Sequence, residues 1–324
     1  MCANWDPRKF LQDSQTDGST NREADERFLL NDLTAAQVYC RAFIKRHART
    51  FYLSSLLLPT AKRDAIWSIY AFCRYTDDLV DNPLHREHPA GLLDDWEEQL
   101  VNHSPRHPVA LVYQHVADSY SIPLKIPQEL IAGVRMDLER SRYETWDDLR
   151  LYCYRVASVV GLLLLPVLGY EGGEQTVDYA IELGIAMQLT NILRDVGEDA
   201  RMGRIYLPQE DIARFGYDEE RLRAGVIDEN FTALLDFEIA RARTYYRSAQ
   251  RGIAMLDKSA RPAILASALL YSRILNSIES NGYNVFSRRA FVNKPRKAYL
   301  IGKVPFLLNR LDRWRLAGGS LECL

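Results

Sequence analysis

Apolar residues recur every three or four positions along most of the chain, which is the period of an amphipathic α-helix. The pattern predicts long helices at 31–51, 60–81, 128–140, 146–168, 174–198, 231–256 and 262–280. Shorter helices are predicted around Trp96, at 289–301 and near the C-terminal end. Strand-type alternation bounded by hairpin signals is absent from the sequence. We therefore expect an all-α bundle of roughly ten antiparallel-leaning helices.

The segments between these predicted helices indicate one large domain. No Pro/Gly/Ser-rich linker or charge break divides the chain, so residues 32–316 are predicted to form a single helical domain. Residues 1–31 are polar and acidic and predict a mobile tail, and 317–324 are predicted to be a second, short tail. The apolar run 156–170 contains Pro166 and falls short of the roughly 20 residues of a membrane span. It predicts a buried helix beside an apolar cavity.

Composition narrows the choice of partner and compartment. Lys+Arg number 41 and Asp+Glu 43, and no basic run is interleaved with aromatic residues, so no nucleic-acid partner is expected. The five cysteines are far apart and form no CxxC, which argues against zinc and against a disulfide framework. A reducing, cytoplasmic location fits this pattern best.

Two acidic segments interrupt apolar helices. The first, TDDLVD, contains Asp77, Asp78 and Asp81, and the second, QLTNILRDVGED, contains Asn191, Asp195 and Asp199. Residues four apart lie on the same face of a helix, so each segment predicts a stripe of oxygen donors. A single stripe of this kind is usually a solvated surface. Two stripes, both flanked by apolar residues, instead indicate a site.

The chemistry of these side chains favours a hard cation bound together with a phosphate. Mg²⁺ takes oxygen ligands, commonly one or two carboxylates completed by phosphate oxygens and water, and Mn²⁺ is an alternative. Arg74, Arg194 and Arg204 lie close to the stripes in sequence and could neutralise a leaving diphosphate. The alternative is that each arginine only pairs with a neighbouring carboxylate.

Several longer motifs resemble the squalene/phytoene synthase family in order and spacing. They are HARTFYLSSLLLP, AIWSIYAFCRYTDDLVD, LYCYRVASVVG, LGIAMQLTNILRDVGEDARMGRIYLP and LLYSRILNSIESNGYNVFSRRAFV. The resemblance extends from about Thr34 to Lys297 and is closest to the phytoene synthases. It implies an isoprenoid synthase-like bundle around a central cavity.

The resemblance also implies site residues. The implied metal ligands are Asp77, Asp81, Asn191, Asp195 and Asp199, of which the four aspartates are also implied to be catalytic. Tyr152 is a further implied catalytic residue and a candidate proton acceptor, diphosphate itself being the alternative. The implied substrate-binding residues are His47, Thr50, Tyr70, Arg74, Gln188, Arg194, Tyr271 and Arg289.

The implied reaction is a Mg²⁺-dependent, head-to-head condensation of two geranylgeranyl diphosphates to 15-cis-phytoene through a cyclopropylcarbinyl diphosphate. It ends in proton loss, so no NADPH is expected. The alternatives are condensation of farnesyl diphosphate to dehydrosqualene or squalene and, from a different class, an inactive helical scaffold that binds a lipid. Because substrate and product are greasy, peripheral contact between the basic C-terminal segment and a membrane surface is a further hypothesis.

Two small residues carry expectations about the cavity. Ser55 stands where C15-using relatives of this family look to carry a bulky aromatic residue, so we expect Ser55 to face the cavity end and admit a longer chain. The alternative is that its hydroxyl bonds to a carbonyl one turn earlier. Ser158 replaces a glycine in the stretch VASVVG, which predicts a locally narrower channel.

Overall fold

The computed structural model describes residues 32–82 and 88–316, apart from the side chains of 49–50 and 314–316. Both tails predicted from the sequence lie outside the described residues. Within them the chain is all-α, as predicted, and the strand-like features are two isolated bridges. The helices are α1 Leu33–His47, α2 Arg49–Ser55, α3 Thr60–Asp81, α4 Pro89–Val101, α5 Pro108–Ser119, α6 Lys125–Glu139, α7 Trp146–Cys153, α8 Val159–Leu168, α9 Glu174–Arg201, α10 Gln209–Arg214, α11 Glu219–Ala224, α12 Glu229–Ile253, α13 Arg261–Ser280 and α14 Lys294–Leu316.

The first predicted helix is divided into two. Asp32 caps α1 by accepting hydrogen bonds from the Thr34 and Ala35 amides at 2.9 and 3.1 Å. Ala48 leaves the helical region at φ −135° and ψ 55°, and α2 then starts in a new direction. The break allows His47, at the end of α1, and Phe51, in α2, to face the same cavity.

Helix α5 is not among the helices predicted from the sequence. His107 caps it through Nδ1, which accepts from the Val109 amide at 3.2 Å, and Pro108 occupies the first turn. Val109, Val112 and Val116 are buried along one face. That spacing was readable from the sequence.

The long apolar helix predicted at 146–168 contains a π-helical turn at Tyr154–Ser158, between α7 and α8. The whole stretch Trp146–Leu168 is long and apolar enough to cross a membrane, but half of its most apolar window is buried inside the protein. It therefore acts here as a core helix. Gly169, with φ 74°, ends it as expected.

Helix α8 forms the wall that the two acidic helices share. It packs against α3 and against α9, whereas α9 packs mainly against α12. Gly184 permits a close approach of α9, since a Cβ at this position would lie 2.3 Å from the Ser158 Cα. Apolar clusters form on both sides of this wall, and a cavity lies where they meet.

The C-terminal part differs from the prediction. A single helix, α14, replaces the predicted helix 289–301 and the separate short helix after it, and Pro305 lies inside it. Val304 and Leu311 anchor α14 in an apolar cluster with Leu265 of α13. Because this burial continues past the proline, one helix persists where the sequence suggested two.

Candidate active site

A cavity of about 640 Å³ lies between α3, α8, α9, α12 and α13. Most of its charged and polar side chains come from the parts of α3 and α9 that carry the acidic stripes and from segments near them, and apolar side chains line most of the rest. These polar residues are Arg46, His47, Tyr70, Arg74, Asp77, Gln188, Asn191, Arg194, Tyr271 and Arg289, and Thr176, Tyr179 and Ser267 line other parts. This lining confirms the expected cavity and suits a ligand with a charged head and an apolar tail.

The first acidic stripe lies at the C-terminal end of α3. Arg74 Nη2 pairs with Asp78 Oδ1 at 2.6 Å, whereas Asp77 lines the cavity. Burial raises the pKa of Asp77 to about 8, opposed by Arg74 and reinforced by Asp81 and Asp78. Because burial makes ionisation of this carboxyl unfavourable, a cation bound beside it would stabilise its charged form.

The second stripe lies on α9. Arg194 pairs closely with Asp195, and Arg289 approaches the same carboxylate at 3.2 Å. Burial raises the pKa of Asp199 to about 7, reinforced by Asp195 and Glu198 and opposed by Arg204. Asn191 lines the cavity, while Asp195 and Asp199 lie outside its lining residues.

Both stripes lie at the same part of the molecule, although α3 and α9 are more than a hundred residues apart in sequence. Asp77 lines the cavity from α3, and Asn191 lines it from α9. Arg204, in the loop after α9, donates to Asp81 at 3.0 Å and so joins the second motif to the first. The structure therefore brings Asp77 and Asn191 to one cavity, whereas Asp81, Asp195 and Asp199 are not among its lining residues.

The donors fit a magnesium ion that is shared with a ligand. No cluster of three or more acidic, histidine or cysteine side chains that could hold a metal ion by itself forms within 32–82 and 88–316. Mg²⁺ does not need such a cluster when phosphate oxygens and water complete its shell. The oxygen donors of Asp77 and Asn191, with Asp199 and Asp81 nearby, leave that role to a bound diphosphate.

The sequence analysis missed Asp137, which stands on α6. Its carboxylate accepts from Tyr152 at 2.9 Å and from Tyr206 at 2.7 Å. Burial raises the pKa of Asp137 to about 6, opposed by the two tyrosine hydroxyls and by Arg204. Asp137 is a single acid in the segment RMDLE and has no acidic residue four positions before or after it, so the stripe criterion could not have found it.

Tyr152 lies next to the cavity rather than in its wall. It is buried, and its hydroxyl donates to Asp137 instead of facing the lining. Burial holds the pKa of Tyr152 well above its usual range, so this phenol stays protonated. Its predicted role as proton acceptor remains a prediction.

Aromatic rings form part of the cavity wall. Phe51 stacks on Tyr70 with ring centroids 4.8 Å apart, and both line the wall together with Tyr271. Phe72 is instead buried against Trp96 and Tyr113. The predicted diphosphate contact Thr50 has a side chain outside the described residues.

The expectations for Ser55 and Ser158 were wrong. Ser55 is buried away from the cavity, where its hydroxyl donates to the Tyr52 carbonyl at 2.8 Å and accepts from the Trp67 indole at 2.8 Å. The local carbonyl bond, the alternative reading of this serine, is therefore present. Ser158 donates to the Ile181 carbonyl at 2.6 Å and does not line the cavity, so it does not narrow the channel.

Comparisons with known proteins agree with this geometry. The squalene/phytoene synthase family model matches residues 44–296. A 15-cis-phytoene synthase of Synechococcus elongatus is 45% identical over 282 residues, covering 83% of this chain and 92% of the relative. A phytoene synthase of Arthrospira platensis is 48% identical over 268 residues, covering 78% and 87%.

Solved structures show the same architecture. A dehydrosqualene synthase in complex with ligand superposes with a TM-score of 0.81 at 34% identity, covering 87% of this chain and 99% of that one. A squalene synthase of Alicyclobacillus acidocaldarius gives a TM-score of 0.72 at 28% identity, covering 78% and 96%.

The fold and the cavity together define an all-α prenyltransferase. Within that class, the chain belongs to the squalene/phytoene synthase family.

Removal of the Tyr152 hydroxyl should make stability depend more steeply on pH. In Tyr152→Phe, Asp137 loses a donor that favours its charged form, so its pKa rises further above about 6. When a carboxyl has a raised pKa in the folded protein, the free energy of unfolding falls as pH rises from the unfolded-state pKa to the folded-state pKa. We expect a loss of about 1–3 kcal/mol at pH 8 that largely disappears at pH 5, measured by urea unfolding.

Tyr217→Phe is the matched control. Tyr217 is buried to the same extent, at 4% exposure, but its hydroxyl donates to the Val226 carbonyl, which does not titrate. Its loss of unfolding free energy should be equal at both pH values. An equal loss at both pH values in Tyr152→Phe as well would contradict the assigned charge state of Asp137.

Proposed function

We propose that this protein condenses two geranylgeranyl diphosphates head to head to 15-cis-phytoene, with release of diphosphate. The observation that carries the proposal is a single cavity with an acidic and basic end and a long apolar remainder. The relatives that are 45–48% identical and named as phytoene synthases support the choice of product.

At the polar end, the arginines would hold the diphosphate groups. Arg74, Arg194 and Arg289 all line the cavity and carry fixed positive charge. Each is also paired with a carboxylate, at Asp78 or Asp195, so its guanidinium is already oriented. A fixed charge that needs little reorganisation stabilises the charge developing on a leaving diphosphate.

Magnesium would be held at this end by Asp77, Asp81, Asn191, Asp195 and Asp199, with Mn²⁺ as an alternative metal. When bound, the metal would act as a Lewis acid that neutralises charge on diphosphate oxygens. Arg204 would help by keeping Asp81, to which it is bonded, directed toward the second motif.

The apolar remainder would hold the prenyl chains and exclude water. Leu164 and Leu165 of α8 and Leu183 and Met187 of α9 are among the apolar lining residues. An allylic cation is hydrolysed wherever water reaches it, so a dry wall protects the reaction. The faces of Tyr70 and Tyr271 could contribute roughly 0.5–2 kcal/mol each of cation–π stabilisation.

The substrate and the need for a reductant can be tested together. Purified protein with Mg²⁺ and geranylgeranyl diphosphate should release diphosphate and form a C40 hydrocarbon without NADPH, because proton loss needs no hydride. Liquid chromatography with mass detection identifies the product. Preference for farnesyl diphosphate, or a cyclopropyl intermediate that accumulates until NADPH is added, would favour the dehydrosqualene or squalene alternatives. Absence of turnover with every prenyl diphosphate would favour the inactive scaffold.

The metal assignment predicts a loss of activity without a loss of stability. Asp77→Asn should reduce kcat/KM by about a hundredfold or more, because an amide ligand does not carry the charge. Above pH 8, the unfolding temperature of Asp77→Asn should equal or exceed that of wild type, because the carboxyl that it replaces is costly to ionise in place. Turnover and thermal unfolding are measured on the same preparation.

Asp147→Asn is the control for that measurement, since Asp147 is 80% exposed on α7 and outside the cavity. It should leave both quantities unchanged. EDTA should abolish wild-type turnover, and excess Mg²⁺ should restore it. Near-full activity in Asp77→Asn would remove Asp77 from the proposed ligands.

We further propose that α14 and the segment before it contact an anionic membrane surface, to which the greasy product is delivered. Phe291, Tyr299 and Phe306 are 70%, 60% and 61% exposed, which is unusual for aromatic side chains. Lys294, Arg296, Lys303 and Arg310 are exposed in the same stretch. Exposed aromatic rings among lysines and arginines favour the interface of a bilayer with negatively charged lipid.

Vesicle binding tests this surface. The double variant Phe291→Ser/Phe306→Ser should bind phosphatidylglycerol vesicles about tenfold more weakly in sedimentation, because two exposed aromatic rings that would enter the bilayer interface are lost. Val101→Ser, at a residue 48% exposed on α4, should bind like wild type. Equal binding to neutral phosphatidylcholine vesicles, or no effect of the double variant, would contradict the proposal.

A further inference from the structure

The part of the cavity farthest along α9 from the acidic stripes is lined by residues of α8, α9 and the end of α12. Leu168 ends α8, Thr176 and Tyr179 lie in the first turns of α9, and Gly252 and Leu256 lie near and just beyond the end of α12. Tyr179 precedes Asn191 by twelve residues on the same helix. At 1.5 Å per residue, its ring lies roughly 18 Å along α9 from the polar end.

Tyr179 is held in place by a glycine on the neighbouring helix. A Cβ at Gly252 would lie 2.4 Å from the Tyr179 Cβ and 3.2 Å from its ring atoms Cγ and Cδ2. Any larger residue at 252 would therefore force the tyrosine to move. The half-buried ring runs from the cavity wall toward the surface, where Gln175 approaches its hydroxyl at 3.4 Å.

Backbone bonds reinforce this end of the cavity from behind. The Glu171 amide donates to the Met255 carbonyl at 3.0 Å, and the Asp257 amide donates to the Gly169 carbonyl at 2.9 Å. Lys62 Nζ ties Asp257 at 2.7 Å and also donates to the Leu168 carbonyl. These contacts hold this end of the cavity in place, so we do not expect it to shift when a longer prenyl chain contacts it.

We propose that Tyr179, wedged against Gly252, is the specificity-determining residue that stops the prenyl chain and sets the longest diphosphate this enzyme accepts. The inference rests on the proposed prenyl diphosphate substrate and adds to it the position that limits chain length. Ser55 does not have this role, because it lies outside the cavity lining.

Shortening Tyr179 should lengthen the accepted substrate. Tyr179→Ala should raise the kcat/KM for the C25 substrate geranylfarnesyl diphosphate, relative to geranylgeranyl diphosphate, by about tenfold or more, because a ring-sized volume opens at the floor. Tyr179→Phe keeps the ring and should keep the wild-type ratio. Tyr245→Ala removes a half-buried tyrosine of α12 outside the cavity and is the matched control.

Filling the space at Gly252 should instead shorten the longest prenyl chain that the cavity accepts. Gly252→Ala should push the Tyr179 ring and lower use of geranylgeranyl diphosphate relative to farnesyl diphosphate by about tenfold. Gly302→Ala is the control, since a Cβ there meets nothing within 4 Å. If Gly252→Ala does not fold, as judged by circular dichroism, Tyr179→Ala decides alone.

An unchanged C25-to-C20 ratio in folded Tyr179→Ala would overturn the proposal. If wild type turns over none of the three diphosphates, the proposed function fails. The role of Tyr179 as the residue that limits chain length is then tested by measuring the binding of each diphosphate. In that case the thermal shift given by each diphosphate with Mg²⁺ should fall off at C25 in wild type and not in Tyr179→Ala. Equal shifts in both proteins would overturn the stop.

Discussion

The rest of the site depends on one electrostatic constraint, which is that acidic residues from two helices must be buried beside one cavity. Burial works against their ionisation, as the raised pKa values of Asp77 and Asp199 show. Arginines offset part of that cost through pairs such as Arg194–Asp195 and Arg204–Asp81. The remaining negative charge favours a cation, and bound cations favour a diphosphate. The cost of ionising these buried acids and the proposed affinity for a metal–diphosphate group therefore share one cause.

The helix packing serves the same constraint. Helices α3 and α9 hold their acidic residues around a shared space, because α8 packs between them. Gly184 permits a close approach of α9 to Ser158, just before α8, and Gly252 permits a close approach of α12 to Tyr179 of α9. Both glycines line the cavity. The long apolar segment 146–168 thus contributes to the cavity proposed to hold the prenyl chains. Half of its most apolar window is buried within the protein.

Much of this organisation could be predicted from the sequence, because helical periodicity and same-face carboxylates are local patterns. The stripes at Asp77 and Asn191 were predicted on that basis, and the structure brings them to one cavity. Ser55 was misplaced because the direction of a side chain near a helix break depends on the turn at Ala48, which no local pattern reveals. Asp137 was missed because its partners, Tyr152 and Tyr206, come from distant segments. Whether a buried acid is paired is a tertiary property.

The central claim is that both acidic helices bind the same metal–diphosphate cluster. Crystals grown with Mn²⁺ and a non-hydrolysable geranylgeranyl thiodiphosphate, measured for anomalous scattering, test it most directly. The account predicts manganese peaks within coordination distance of Asp77 or Asp81 and also of Asn191, Asp195 or Asp199, with the diphosphate between them. Manganese bound to one helix alone, or a diphosphate bound away from both, would contradict it.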